Sequence, residues 1–299
     1  MKPSYRSFII FCFTISSFSI FANRSTTEPE HAFVTQNFPL KTPSKWTKGE
    51  PFVYTSKELN ILLKKLNPVY GDTTNYKGKI FLFDAFKQHT DWNGNVTLDL
   101  VFSADKEKIR FETGKSLQQL YDSTYNPLIP GLIWMGEIYK ADSLLRNKTL
   151  YIKTSDWDAD KDEDLKFARK FIPVTITKVR AGNEILPVRI FFKDENEHQY
   201  SILTTLSGTL NNSSKYTFEK LFSFTNPQLK YKGILPEVWS AICAGKLTVG
   251  MTQNEVRLSI GRPTEIKRIP TYSGMHEQWS YSSGTMIYFQ DGKITKFRQ

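Results

Sequence analysis

The chain has 299 residues, of which 39% are hydrophobic and 14% aromatic, and its formal net charge is +10. That length permits two or three small domains, and the aromatic content gives ample core material. The basic balance suits anionic surfaces, yet it equally describes a soluble basic surface with no chosen partner.

Residues 1–22 read as an export signal. Lys2 and Arg6 form a basic start, Phe8–Ile20 is apolar apart from small hydroxyl residues, and Ile20-Phe21-Ala22 offers a cut after Ala22. An uncleaved membrane anchor is the alternative, although the run is short for a span. Removing Lys2 and Arg6 leaves a charge of +8. Cys243 is then the single cysteine, too few for an internal disulfide, and its apolar neighbours point to a small buried hydrophobe.

Residues 23–51 read as a tether without sustained period, whose Phe33, Phe38 and Trp46 are available to dock on the body. Thr55 to Asn67 is predicted to be a helix. Thr55 and Glu58 match a capping box, and Leu59, Leu62, Leu63 and Leu66 form a stripe. Strands are predicted at Lys79–Phe86, Val96–Ser103 and Lys108–Glu112, with Ala104-Asp105-Lys106 as a turn. Lys148–Thr154, Leu186–Lys193 and Gln199–Leu206 repeat that order, with Gly94-Asn95 and Gly182-Asn183 in matching places. This predicts two small β modules, over 52–145 and 146–232, as SH3-like barrels or half-open sheets. Leu117–Tyr121, Gly131–Leu145 and Phe218–Phe222 read as short helices or loops between them.

Few residues point to chemistry. The acidic run Asp156 to Asp164 has aspartates at alternate positions, as a calcium loop requires. Lys161 stands where such a loop turns on Gly, and Phe167 where it ends on Glu, so a solvated acidic loop is the simpler reading. The four histidines lack metal-site spacing, and there is no G-x-S-x-G, P-loop or G-x-G-x-x-G. No cofactor and no nucleic-acid partner is expected.

The region 233–299 carries the densest pattern. A helix is predicted from about Pro236 to Ala244, with Val238, Trp239, Ile242 and Cys243 on one stripe. A second helix starts at the Thr252/Glu255 capping box, with Met251 able to staple onto Val256, and stops at Gly261 and Pro263. Strands follow at Met275–Tyr281, Thr285–Phe289 and Ile294–Phe297, turning at Ser283-Gly284 and Asp291-Gly292. Two helices on one face of a three-stranded antiparallel sheet is the economical packing, so the whole chain reads as α+β.

The Gly250-Met251-Thr252 turn with Glu255, Gly261 with Pro263, Trp279 with Tyr281, and Phe289 with Asp291-Gly292 resemble the SmpA/OmlA-like domain. That is the fold of the small BamE-type outer-membrane assembly lipoproteins. The resemblance covers roughly the last fifth of the chain and implies a bacterial envelope protein in periplasm or outer membrane. Members of that lipoprotein family are usually lipid-anchored through a cysteine right after the signal. Cys12, inside the apolar run, does not occupy such a place. Secreted inhibitors of β-lactamases use the same fold duplicated, so it does not assign a function by itself.

With the helices on the Trp279/Tyr281 face, Gln278, Ser280, Met286 and Tyr288 lie on the other and form the candidate partner-binding surface. The leading expectation is an exported, non-enzymatic envelope protein with a protein partner, a membrane surface being a further one. An inhibitor or a glycan- or lipid-binding module is the first alternative, and a hydrolase with its site between the β modules the second.

Overall fold

The computed structural model describes residues 28–68, 73–90, 92–122, 125–159, 168–207, 215–272 and 274–299. The expected leader at 1–22 and positions 160–164 of the acidic run lie outside the described residues. The architecture is α+β and β-rich, with six helices and three sheets whose ladders are all antiparallel among the described residues.

The first sheet is built from β1 (Pro51–Tyr54), β2 (Leu63–Lys65), β3 (Ile80–Thr90), β4 (Val96–Ala104), β5 (Glu107–Lys115) and β6 (Leu132–Trp134). Its spatial order is β6-β1-β3-β4-β5-β2. The second contains β7 (Thr149–Ile152), β8 (Asp158–Ala159), β9 (Ile172–Ala181), β10 (Val188–Lys193), β11 (Gln199–Thr204) and β12 (Phe222–Ser223). Its order is β12-β7-β9-β10-β11-β8. Strand by strand the two orders are the same, and a short helix precedes the last strand of each: α2 (Leu117–Leu120) and α4 (Phe218–Leu221).

This corrects the alignment of the copies. Lys148–Thr154 contains β7, whose counterpart is β1 rather than the strand beginning near Lys79. The counterpart of β3 is β9, which was not among the predicted strands. Pro173, Thr175, Thr177, Lys178 and Arg180 dilute its apolar signal, although Val174, Ile176 and Val179 are buried. A register shift opposite Phe191 and Phe192 breaks the simple alternation.

The predicted helix over Thr55–Asn67 does not form. Leu63 starts β2 and pairs with Phe111 of β5. The Tyr54 hydroxyl accepts from Asn60 N–H at 2.7 Å and donates to the Glu58 carbonyl at 3.0 Å. Thr55 Oγ1 donates to the Gly131 carbonyl instead of capping. An isolated helix of this length is marginal in water, and sheet pairing with burial of Leu63 overrides it.

The stretch 23–51 is more than a tether where it is described. Pro29–Asn37 forms α1, whose Phe33 packs against Phe38, Phe218 and Phe224. Glu30 is buried and accepts from Phe224 N–H at 2.6 Å and Ser223 Oγ at 3.1 Å. Trp46 meets Phe52 and Phe83 edge-on. The amino-terminal segment is therefore part of the core of both sheets.

Between the sheets, α3 (Met135–Leu145) follows β6 without a loop and buries Ile138, Ala141 and Leu145 in the second core. Beyond them, α5 (Pro236–Cys243) and α6 (Gln253–Ile260) pack on β13 (Glu265–Thr271), β14 (Gly274–Ser280), β15 (Met286–Gln290) and β16 (Lys293–Arg298). Both halves of the Thr252/Glu255 capping box are made, Met251 and Val256 are buried together, and Gly261 ends α6 at φ 88°. This sheet has four strands rather than three. The extra strand β13 is exposed along nearly its whole length and contains Pro270, so it lacks the alternation that reveals a half-buried strand.

Glu30→Ala leaves the Phe224 N–H and the Ser223 hydroxyl buried without an acceptor. The expected loss is about 1–3 kcal/mol of unfolding free energy, read from urea denaturation with an unchanged slope.

Candidate functional site

On the terminal sheet, Gln278 faces Tyr288 and Ser280 faces Met286 across the β14–β15 ladder. Because side chains alternate, all four point away from the buried Trp279 and Ile287. The sheet thus brings the four predicted residues together on one outer face. Lys267 extends the Gln278–Tyr288 row on one side and Lys296 on the other, while Glu265 and Arg298 flank Ser280 and Met286. The Lys296 ammonium stands 4.6 Å over the Tyr288 ring. Neither Met286 nor Tyr288 belongs to the terminal core or to the apolar residues packed against it.

That face is backed by close packing beneath. Trp279 lies between Phe289, at 4.6 Å, and the Arg257 guanidinium, at 4.5 Å, and its indole N–H donates to Glu277 at 2.9 Å. Tyr281 donates to the Gly261 carbonyl at 3.1 Å, and burial pushes its pKa up to about 12. On the helical side, a groove of about 630 Å³ runs between α6 and residues 230–234, bordered by Lys230, Lys232, Arg257 and Arg262. Between 227 and 299 there are ten Lys and Arg against five Asp and Glu, so this quarter of the chain is markedly basic.

A second concavity, not foreseen from sequence, lies where the first two sheets meet. It is a cleft of about 170 Å³ lined by Leu40, Trp46, Leu128, Ile129, Trp134 and Ile185, among others. Lys41 stands 4.9 Å over the Trp134 ring. Gly136 is required at its position, because a Cβ there would lie 2.3 Å from that indole. Glu137 also lines the cleft. It is buried, and it accepts from the Ser207 N–H and Ser207 hydroxyl, both at 2.9 Å, and from the Leu206 backbone. Burial outweighs these bonds and raises the Glu137 pKa above the ordinary glutamate range. With both oxygens engaged, Glu137 is a staple between α3 and the strand end after β11. At this size the cleft is small for a ligand pocket, which typically exceeds about 300 Å³.

The other sequence candidates are dispersed. Asp156 pairs with Lys215 at 3.2 Å and Asp158 with Arg189 at 2.9 Å, while Trp157 between them is buried and stacked on Tyr200 and Phe192. Among the described residues no three His, Cys, Asp or Glu side chains are placed to share a metal ion. Cys243 is buried, and desolvation raises its thiol pKa.

Comparison with protein-family models, with curated proteins and with solved structures finds no match.

The raised Glu137 pKa fixes a pH dependence. Its folded value lies above its unfolded one, so stability falls as pH rises from the ordinary glutamate range to the raised folded value, and is level beyond. Glu137→Gln should flatten that slope and be at least as stable as the parent at neutral pH. Glu137→Ala should cost about 1–3 kcal/mol in the acid range, because the Ser207 donors are stranded, and less toward neutral pH, where the parent has itself lost stability. Denaturant unfolding across the acid to neutral range reads both.

Proposed function

We propose that the chain is an exported, non-enzymatic protein of a bacterial cell envelope, in the periplasm or at the outer membrane. In this reading its terminal domain holds a protein partner on the outer face of the sheet. The observation that carries the reading is the Gln278–Tyr288 and Ser280–Met286 rows, an aromatic ring and a thioether outside every core cluster, on a four-stranded face. Aromatic and methionine side chains are enriched at protein interfaces. Lys267, Lys296 and Arg298 outnumber Glu265 on that face, so the partner presents acidic groups.

Two resemblances support the setting. We read the terminal domain as SmpA/OmlA-like, since two helices, the second closed by the Thr252/Glu255 capping box, cover one face of an antiparallel sheet and the Gly250–Glu255 turn, Gly261, Trp279 and Asp291-Gly292 stand at the element boundaries or in the core. The fourth strand β13 departs from the expected pattern. We read the two preceding units as SH3-like barrels, each a small antiparallel sheet whose last strand follows a helical turn and returns to pair with the first. The engagement of both Glu137 oxygens by Ser207 speaks against a hydrolytic role for the cleft.

A photo-crosslinking residue at Tyr288, in intact cells, should give one discrete adduct with an envelope protein. The same residue at Glu195, exposed in the β10–β11 turn, should not. Tyr288→Ser with Met286→Ser should weaken binding of that partner about tenfold or more, equivalent to ~1.4 kcal/mol. No adduct at 288, or the same adducts at 195, would defeat the reading.

A further inference from the structure

Apolar side chains left in water gather at one end of the first sheet. Trp92 is 93% exposed in the β3–β4 turn, just beyond the Thr90–Val96 pair that ends the ladder, and Val96 is itself more than half exposed. Ile61 (90% exposed) and Leu62 immediately precede Leu63, whose pairing with Phe111 sets them beside the closing residues of β5. The Leu98–Lys115 pair brings the end of β5 next to the start of β4, and α2 begins two residues later with exposed Leu117 and, just past its end, exposed Tyr121. With strands about 4.8 Å apart, the turn before β2 and the β3–β4 turn are separated by roughly 15 Å.

These groups stand on three separate projections and not in a groove. A protein partner needs a complementary surface shaped around each tip, whereas a lipid interface deforms to accept them. Tryptophan and tyrosine suit that boundary, since an apolar ring ends in a polar atom. Two lysines nearby have the matching sign. Lys87 on β3 and Lys115 at the end of β5 have no ion pair among the described residues, while the Glu112 carboxylate is taken by Lys64 and Arg110. Lysine stems lie along the apolar zone and carry their ammonium groups out to phosphates.

We propose that this end of the first sheet docks on an anionic lipid surface. Trp92, Ile61 and Leu62 enter the boundary between headgroups and acyl chains, and Lys87 and Lys115 meet headgroup phosphates. The surface belongs to the first unit and is independent of the partner face on the terminal sheet, so either can fail alone.

The test uses the purified chain from residue 23 onward, which keeps every residue of the described fold. It is sedimented with vesicles of pure phosphatidylcholine and with vesicles of equal parts phosphatidylcholine and phosphatidylglycerol. Binding to the mixed vesicles and not to the neutral ones is expected. Trp92→Ser with Ile61→Ser should reduce the bound fraction about tenfold, since the anchoring apolar area is removed. Lys87→Glu with Lys115→Glu should reduce it similarly, and both pairs should leave the unfolding midpoint unchanged because the sites are on the surface. Absence of binding to the mixed vesicles, or equal binding to neutral ones, overturns the proposal. So does binding that survives the tip substitutions, or is lost only with Tyr288→Ser and Met286→Ser. Tip variants that lose a protein crosslink while keeping vesicle binding would assign the tips to a protein.

Discussion

One short antiparallel ladder holds two cores apart and together. In the β1–β6 pairing, Phe52 faces Trp134 and Tyr54 faces Leu132, and these four contribute to the first core. Between them, Val53 and Ile133 point the other way, into the second core with α3 and β9. Side-chain alternation along a strand makes this arrangement obligatory, because a one-residue slip would exchange every occupant of the two cores. Each buried aliphatic or aromatic group here stabilises by about 1.5–3 kcal/mol, so the register is strongly specified. Since β6 runs straight into α3, the position of the second unit follows from the pairing of β1 with β6 in the first.

Around this ladder the two units repeat one strand order with different fillings. The first core is a herringbone of Trp46, Phe52, Phe83 and Phe102 in edge-on contacts. The second is mainly aliphatic, with the Trp157–Tyr200 stack at one side and Phe33, Phe38 and Phe218 at another. The amino-terminal helix completes the second unit before the chain crosses to the first. The terminal domain is joined through Phe171, which stacks on Trp239 at 5.5 Å, and Lys170, whose N–H donates to the Cys243 carbonyl. Phe171 sits at φ 58°, a conformation that costs a bulky residue on the order of 1–2 kcal/mol. That stack offsets the strain, and it fixes the joint with few residues.

Local signals were legible in the sequence and tertiary ones were not. The α5 and α6 boundaries follow from Pro236, the Thr252/Glu255 box and Gly261, each acting within one turn of backbone. The four outer-face residues were readable because Trp279 fixes the parity of its strand, and parity survives any error in strand length. Thr55–Asn67 carried an equally clear helical stripe, yet its leucines are used one at a time: Leu63 inward, Leu62 outward. A partner strand some fifty positions later decides between those outcomes, and no local pattern encodes it. The cleft around Glu137 is likewise assembled from segments near 40, 130, 185 and 207, none of which carries a motif. Its one local hint is a glutamate in the first turn of an apolar helix.

In the proposed reading a partner would meet the terminal sheet at its edges or on its face, and the edge chemistry favours the face. On β13, Pro270 has no N–H to offer an added strand, and Lys267 and Arg268 crowd the same border. On β16, Lys293, Lys296 and Arg298 place charge along the opposite edge. Both borders are thus guarded against strand addition, which would also be indifferent to which side chains the partner carries. The face is not guarded in this way. Between its charged flanks it offers the Tyr288 ring, the Met286 thioether and the short polar groups of Gln278 and Ser280, which together present hydrogen-bonding capacity beside an apolar surface. A partner that buries this centre must leave the Lys267, Lys296 and Arg298 ammonium and guanidinium groups at a wet rim, where they select for acidic neighbours at little desolvation cost.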